Sequence, residues 1–208
     1  MCIRDSFRYD TLYLPLNLPN SITFARLVLT AVFVIAASRG GFSGYLVALV
    51  AFVMAAISDW LDGYLARKLN LVTSLGKLMD PLADKILVAS AFVLFSSVGL
   101  CPPWITIVII GREFLVTGLR QIAVEKGEVI AADRLGKWKT TFQLTYSITC
   151  LVWLMMGPVE NAGSFVSFFQ TLSNPENPLS IISLWGAFAL TLISGINYLK
   201  KSWNLLIN

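Results

Sequence analysis

Six long apolar runs, parted by short polar or glycine- and proline-rich breaks, set the rhythm of the chain. The first follows Asn17-Leu18-Pro19-Asn20-Ser21-Ile22-Thr23, where Pro19 is a turn-former and Asn20 or Ser21 offers an N-cap. It continues to about Ser38, with Arg26 one turn in, and Arg39-Gly40-Gly41 breaks it. The second, Gly40 to Ser58, carries no charge and is long enough, at ~1.5 Å per residue, to cross a ~30 Å hydrocarbon core. A third uncharged run starts after Lys85 and stops at the turn Val98-Gly99-Leu100-Cys101-Pro102-Pro103. The fourth, Trp104 to about Ala123, is interrupted by Gly111-Arg112-Glu113 and by Arg120. A charged loop, Val124 to Gly136, precedes the fifth, which Lys137 and Lys139 open and Met156 ends. Gly157 to Pro178 reads as a polar connection, and the sixth run, Leu179 to Leu199, closes on Lys200-Lys201. Backbone polar groups in lipid must be satisfied within their own segment, so runs of this length predict helices. Residues 1–15 lack this pattern and read as a disordered or non-native leader, which leaves 16–208 as one membrane domain.

Composition agrees with that pattern. A chain that is 56% hydrophobic and 13% charged, with a mean hydropathy of +0.72, does not suit a water-soluble domain. The fold class expected is all-α integral membrane, with six transmembrane helices. Charge sets the orientation. Arg67, Lys68, Lys77, Lys126, Arg134, Lys137, Lys139, Lys200 and Lys201 fall on one side, against Arg39 alone on the other. By the positive-inside rule both termini and the segment Asp59 to Asp84 face the cytoplasm. In this setting basic residues orient the chain, and nothing favours a nucleic-acid partner. The chain has no His, which excludes imidazole bases and His-metal sites. Cys2, Cys101 and Cys150 are too few and scattered for a disulfide framework or a zinc site, and read as apolar filler.

The chemistry concentrates between Asp59 and Asp84. At about 100° per residue, Asp59, Asp62, Gly63 and Ala66 share one helix face. Asp80 and Asp84 are one turn apart on the next helix, with Gly76 a turn before Asp80. The short link between the two helices predicts antiparallel neighbours and a polar cleft facing the cytoplasm. Carboxylates this close repel unless cations intervene, and oxygen donors without His or Cys favour hard ions, Mg²⁺ or Mn²⁺. Two such ions ~4 Å apart would clamp a phosphoryl group. Gly63, Ala66 and Gly76 leave room for a bulky ligand, and Arg67 supplies a phosphate-matched guanidinium. Any single Asp here is as well explained as a solvated cap, or as an ion pair with Arg67, Lys68 or Lys85. Four acids in matched i,i+3 and i,i+4 pairs outweigh that explanation. A cation transporter or proton relay also uses intramembrane acids, but these cluster at one edge and do not form a trail across the membrane.

The pattern Asp59-x2-Asp62-Gly63-x2-Ala66-Arg67-x8-Gly76-x3-Asp80-x3-Asp84 resembles the signature of the CDP-alcohol phosphatidyltransferases. The resemblance implies phosphatidyl transfer from CDP-diacylglycerol to an alcohol, with release of CMP. It implies Asp59, Asp62 and Asp80 as metal ligands. Asp84 matches the general base for the acceptor hydroxyl and is included among the acids at the metals. Asn20, Thr23, Asp62, Gly63, Ala66, Arg67 and Gly76 are expected around the nucleotide. The family also implies a homodimer in the lipid bilayer, here of a bacterial inner or plasma membrane.

The acceptor is read from residues outside that motif. Asn17 to Arg26, Arg112-Glu113-Phe114-x-Val116-Thr117-Gly118-Leu119-Arg120, and Gly136-Lys137-x-Lys139-Thr140-Thr141 with Gln143 resemble the phosphatidylglycerophosphate synthase branch. Its acceptor is sn-glycerol 3-phosphate, and Arg112, Arg120, Lys137 and Lys139 are the cations expected to hold that phosphate. Inositol phosphate, serine or phosphatidylglycerol are the alternative acceptors. A structural ion pair is the competing account of Arg112-Glu113, and headgroup contacts compete for Lys137 and Lys139. Lys200 and Lys201 are assigned to headgroups outright. Trp104, Trp153, Trp185 and Trp203 read as interfacial or packing residues.

Overall fold

The computed structural model describes residues 18–69, 74–127, 134–157 and 163–207. Side chains at 18–22, 59–69, 74–82, 84, 134 and 203–207 are outside that description, as is the expected leader at 1–15. The described residues are all-helical, with no strand. Six long helices follow the six predicted runs: α1 (Leu18–Arg39), α2 (Gly41–Leu69), α3 (Ser74–Ser97), α4 (Pro103–Glu125), α5 (Arg134–Met156) and α7 (Pro178–Ile207). The shortest of these has 22 residues, ~33 Å at 1.5 Å per residue. Gly41–Ser58 and Ser164–Ser202 satisfy the length and composition of a membrane crossing, and Lys85–Ser97 is a shorter apolar segment.

Two boundaries differ from the sequence expectation. The helix α1 already begins at Leu18, so Pro19 lies in its first turn, where a missing N–H costs nothing, and neither Asn20 nor Ser21 is the N-cap. The connection expected at Gly157 to Pro178 contains a helix, α6 (Ser164–Ser173). Phe165, Phe168, Phe169 and Leu172 recur at helical spacing within it, and the flanking Asn, Glu and Pro residues mask that period. Two side chains close the ends of α6 locally. The Gln170 amide donates to the Gly157 carbonyl at 2.8 Å, and that of Asn177 to the Thr171 carbonyl at 2.9 Å.

The turn between α1 and α2 falls where the glycines predict it, with Gly40 at φ 64° and Gly41 at φ 68°. Close approach then depends on Gly44, because a Cβ there would lie 2.8 Å from the Ala36 carbonyl oxygen. Backbone cannot swing aside as a side chain can. Gly44→Ala is therefore expected to cost about 1–3 kcal/mol, read as a lower thermal midpoint in detergent.

Packing has the polarity of a lipid-solvated protein. Large apolar side chains point outward on several helices, among them Phe24, Ile35, Val50, Ile107 and Ile182. Small polar ones point inward: Ser147, Ser183, Thr191 and Ser194 are all buried. Each is satisfied within its own helix, as in Thr191 donating to the Ala187 carbonyl at 2.6 Å and Ser147 to that of Gln143 at 2.8 Å. Small side chains let helices approach where lipid tails give no hydrophobic drive, which accounts for this arrangement.

The apolar core joins α1 to α5 and lies toward the Gly40 and Gly99 turns. Phe33 and Phe52 meet there, as do Phe92, Phe95 and Tyr146. The Tyr146 hydroxyl donates to the Leu100 carbonyl at 2.7 Å and ties α5 to the α3–α4 turn. Cys101 and Cys150 are free and buried in this region, as filler should be. Burial pushes the Cys101 thiol up, partly offset by its hydrogen bond with Thr106. Most of the charged residues, Arg39 apart, lie away from those turns.

Candidate active site

The acid motif is distributed over two consecutive helices. Asp59 and Asp62, with Gly63, Ala66 and Arg67, lie in the last third of α2. Gly76, Asp80 and Asp84 lie in the first half of α3, and both acid pairs keep helical spacing without interruption. The side chains of these eight residues, and of Asn20 on α1, are outside the described ones. Their convergence on a cleft therefore stays an expectation. Thr23 is described, and it is buried on α1, one turn before the buried Arg26.

Two of the four cations expected for the acceptor, Arg112 and Lys139, meet at one carboxylate, and Arg120 and Lys137 do not. Glu113 on α4 is buried and is the hub. Lys139 of α5 donates to its Oε1, Arg112 Nη1 lies 3.5 Å from the same oxygen, and Lys85 Nζ of α3 lies 3.8 Å from Oε2. The side chains of Arg112, Glu113 and Lys139 are each about nine-tenths buried or more, at 11%, 10% and 5% exposed. Three helices thus bring three cations to one carboxylate. An ion pair would need only one of them. Among the described residues, Arg112 and Lys139 are nearly buried and share this one carboxylate, an arrangement that an anion would suit.

Arg120, eight residues further along α4, uses a different partner. It donates to the hydroxyl of Tyr198 on α7, and its guanidinium carbon is 5.2 Å from the centre of that ring. The Arg112 guanidinium carbon lies 5.6 Å from the same centre. Lys137 stands apart. Two residues from Lys139 on a helix is about 200° of rotation, and its side chain is exposed where that of Lys139 is buried.

Two participants escaped the sequence reading. The sequence offers Lys85 as a partner for the acids, since it directly follows Asp84, and as the last charge before a long apolar run. Tyr198 carries no signal beyond being a polar-tipped ring near Lys200, since its role depends on α7 packing against α4. Gln143 is buried one turn beyond Lys139, and its amide nitrogen has no hydrogen-bond partner among the described residues.

Comparison with known proteins accords with this arrangement. The chain is 41% identical over 202 residues to the CDP-diacylglycerol–glycerol-3-phosphate 3-phosphatidyltransferase of Bacillus subtilis (strain 168), covering 91% of this chain and 97% of the relative. The enzyme of that name from Rickettsia felis is 33% identical over 184 residues, covering 88% and 94%. A Mycobacterium tuberculosis protein named "Probable phosphatidylglycerophosphate synthase" is 34% identical over 189 residues, covering 89% and 81%. Residues 16–193 match the sequence pattern of one family, described as CDP-alcohol phosphatidyltransferase. With that match spanning most of its length, the chain belongs to the CDP-alcohol phosphatidyltransferase family.

Proposed function

We propose that the protein transfers the phosphatidyl group of CDP-diacylglycerol to sn-glycerol 3-phosphate, releasing CMP and forming phosphatidylglycerophosphate. The observation that carries the choice of a phosphate-bearing acceptor is the convergence of Lys85, Arg112 and Lys139 on Glu113, which sets several cations where a phosphate monoester, with about two negative charges near neutral pH, can join them. Serine offers no such group, whereas inositol phosphate does. The names of the relatives from B. subtilis and R. felis support the same choice.

In this reading the acceptor's free hydroxyl attacks the lipid-side phosphorus. A new P–O bond forms there, the bond to the CMP oxygen breaks, and the hydroxyl proton passes to the Asp84 carboxylate. Asp59, Asp62, Asp80 and Asp84 fit two divalent cations: the motif offers oxygen donors alone, on consecutive helices, and the chain has no His to compete. Bound Mg²⁺ or Mn²⁺ would neutralise phosphoryl charge and make the hydroxyl more acidic, so that a weak carboxylate base suffices. Asn20, Thr23, Asp62, Gly63, Ala66, Arg67 and Gly76 surround the nucleotide. Arg112, Arg120 and Lys139 hold the acceptor phosphate, with Lys137 at the rim where headgroups are also in reach.

The same reading makes the chain a six-span protein of a bacterial membrane, with its cleft and both termini cytoplasmic. Its support is the apolar outer surface of the long helices and the one-sided distribution of Lys and Arg. A homodimer in the bilayer and a single membrane domain over 16–208 belong to it as well.

The test is CMP release by purified protein in detergent with CDP-diacylglycerol and Mg²⁺ or Mn²⁺. Glycerol 3-phosphate, inositol phosphate, serine and phosphatidylglycerol are supplied in turn. Turnover with glycerol 3-phosphate is expected; turnover with another acceptor alone would overturn the acceptor, and no CMP release with any would overturn the activity. Within that assay Arg112→Ala should raise the acceptor KM by about 10–100-fold and leave the lipid KM within about threefold. Lys137→Ala, at an exposed position, should change either constant by no more than about threefold.

A further inference from the structure

The last helix supplies none of the residues that the sequence points to, yet it touches both guanidinium groups of α4. Arg112 and Arg120 are eight residues apart, ~12 Å along the helix axis, so they cannot converge by helical spacing alone. What they share is Tyr198. Its ring is 3% exposed, with the two guanidinium carbons 5.6 and 5.2 Å from its centre, and its hydroxyl accepts a hydrogen bond from Arg120. One turn earlier on the same face, Gly195 opens a gap in α7. A Cβ there would lie 3.1 Å from Arg112 Cγ, so the aliphatic stem of Arg112 rests against the helix where a side chain would push it away.

We propose that Gly195 and Tyr198 of α7 form a seat that positions Arg112 and Arg120 for the phosphate of the acceptor, making Tyr198 a positioning residue and a determinant of acceptor affinity. The chemistry follows from the parts. A guanidinium over an aromatic face keeps its N–H edge free for an anion, whereas one paired with a carboxylate spends that edge. Arg112 already gives Nη1 to Glu113 at 3.5 Å, while its buried Nε has no hydrogen-bond partner among the described residues. Held by a ring and a glycine gap, Arg112 can turn its Nε edge to a dianion while its Nη1 stays with Glu113, and Arg120 has no ion pair with a carboxylate among the described residues. The lipid-linked nucleotide, which the acid motif on α2 and α3 would hold, should be indifferent to this seat.

The proposal rests on glycerol 3-phosphate being the acceptor, and the experiment separates the two ideas. Tyr198→Phe keeps the ring and loses the hydroxyl, Tyr198→Leu loses both, and Gly195→Ala crowds the stem of Arg112. KM for glycerol 3-phosphate and for CDP-diacylglycerol is measured for each, beside the thermal midpoint and the inhibition constant of inorganic phosphate. The acceptor KM is expected to rise by about fivefold in Tyr198→Phe and by about 50-fold in Tyr198→Leu. The phosphate inhibition constant should rise in parallel, while the lipid KM and the rate at saturating acceptor stay within about threefold. If Tyr198→Leu does not fold, Tyr198→Phe and Gly195→Ala carry the test alone. Equal rises in both KM values, or an unmoved acceptor KM in folded variants, would overturn the seat. Failure of the unmodified protein to use glycerol 3-phosphate would instead overturn the underlying function.

Discussion

Asp84→Asn is expected to lower CMP release by at least about 10³-fold, the upper range of what a positioned general base contributes. Asn keeps the shape of the side chain and its place one turn beyond Asp80 on α3, but it cannot accept a proton. Asp84 is one of four carboxylates in the motif, so the substitution should leave much of the divalent-cation binding intact. Asp59→Asn and Asp80→Asn should lose that binding along with turnover. Titration of Mn²⁺ binding by electron paramagnetic resonance, run beside single-turnover assays, distinguishes the two classes. A loss of Mn²⁺ by Asp84→Asn as complete as that by Asp80→Asn would make Asp84 chiefly a ligand and leave the base unassigned.

The second large effect is one of stability. Glu113→Ala removes the carboxylate that, among the described residues, Lys85, Arg112 and Lys139 share, two of these cations being nearly fully buried. Breaking a buried pair costs about 3–5 kcal/mol, because the partners remain as uncompensated charge. Here Arg112 and Lys139 remain, both nearly buried, and thermal unfolding in detergent should show a loss of about that order. The direction of rescue is informative. An anion that binds the folded state stabilises it by mass action, so millimolar glycerol 3-phosphate should restore more of the midpoint in Glu113→Ala than it adds to the unmodified protein. A variant as stable as its parent without any anion would show that the cations are neutralised elsewhere.

The long helices could be read directly because membrane spans need apolar runs of a fixed minimum length, and the Gly40-Gly41 turn because two left-handed residues leave little alternative. The acid motif keeps its helical spacing on α2 and α3, while the convergence of its side chains lies outside the described residues. What escaped depends on other helices. Arg112 and Glu113 are adjacent and read as a pair, while Lys85 and Lys139, which make the pair a hub, come from α3 and α5. Tyr198 is invisible for the same reason. Lys137 and Lys139 differ in kind: a helical wheel already sends them to opposite faces, and only the choice of the buried one needed the fold. The helix α6 was hidden because it is just ten residues long, too short for its period to outweigh the polar residues on either side.

Tyr198 also has a place in time. Ribosomes deliver α2 and α3, with all four acids, long before α7, and α4 with both arginines precedes it too. Any nascent chain that stops short of position 198 carries the acids and the cations without the ring they share. On the proposed reading, the ring that seats Arg112 and Arg120 is therefore the last part of the site to be made, and it is in place only once α7 packs against α4.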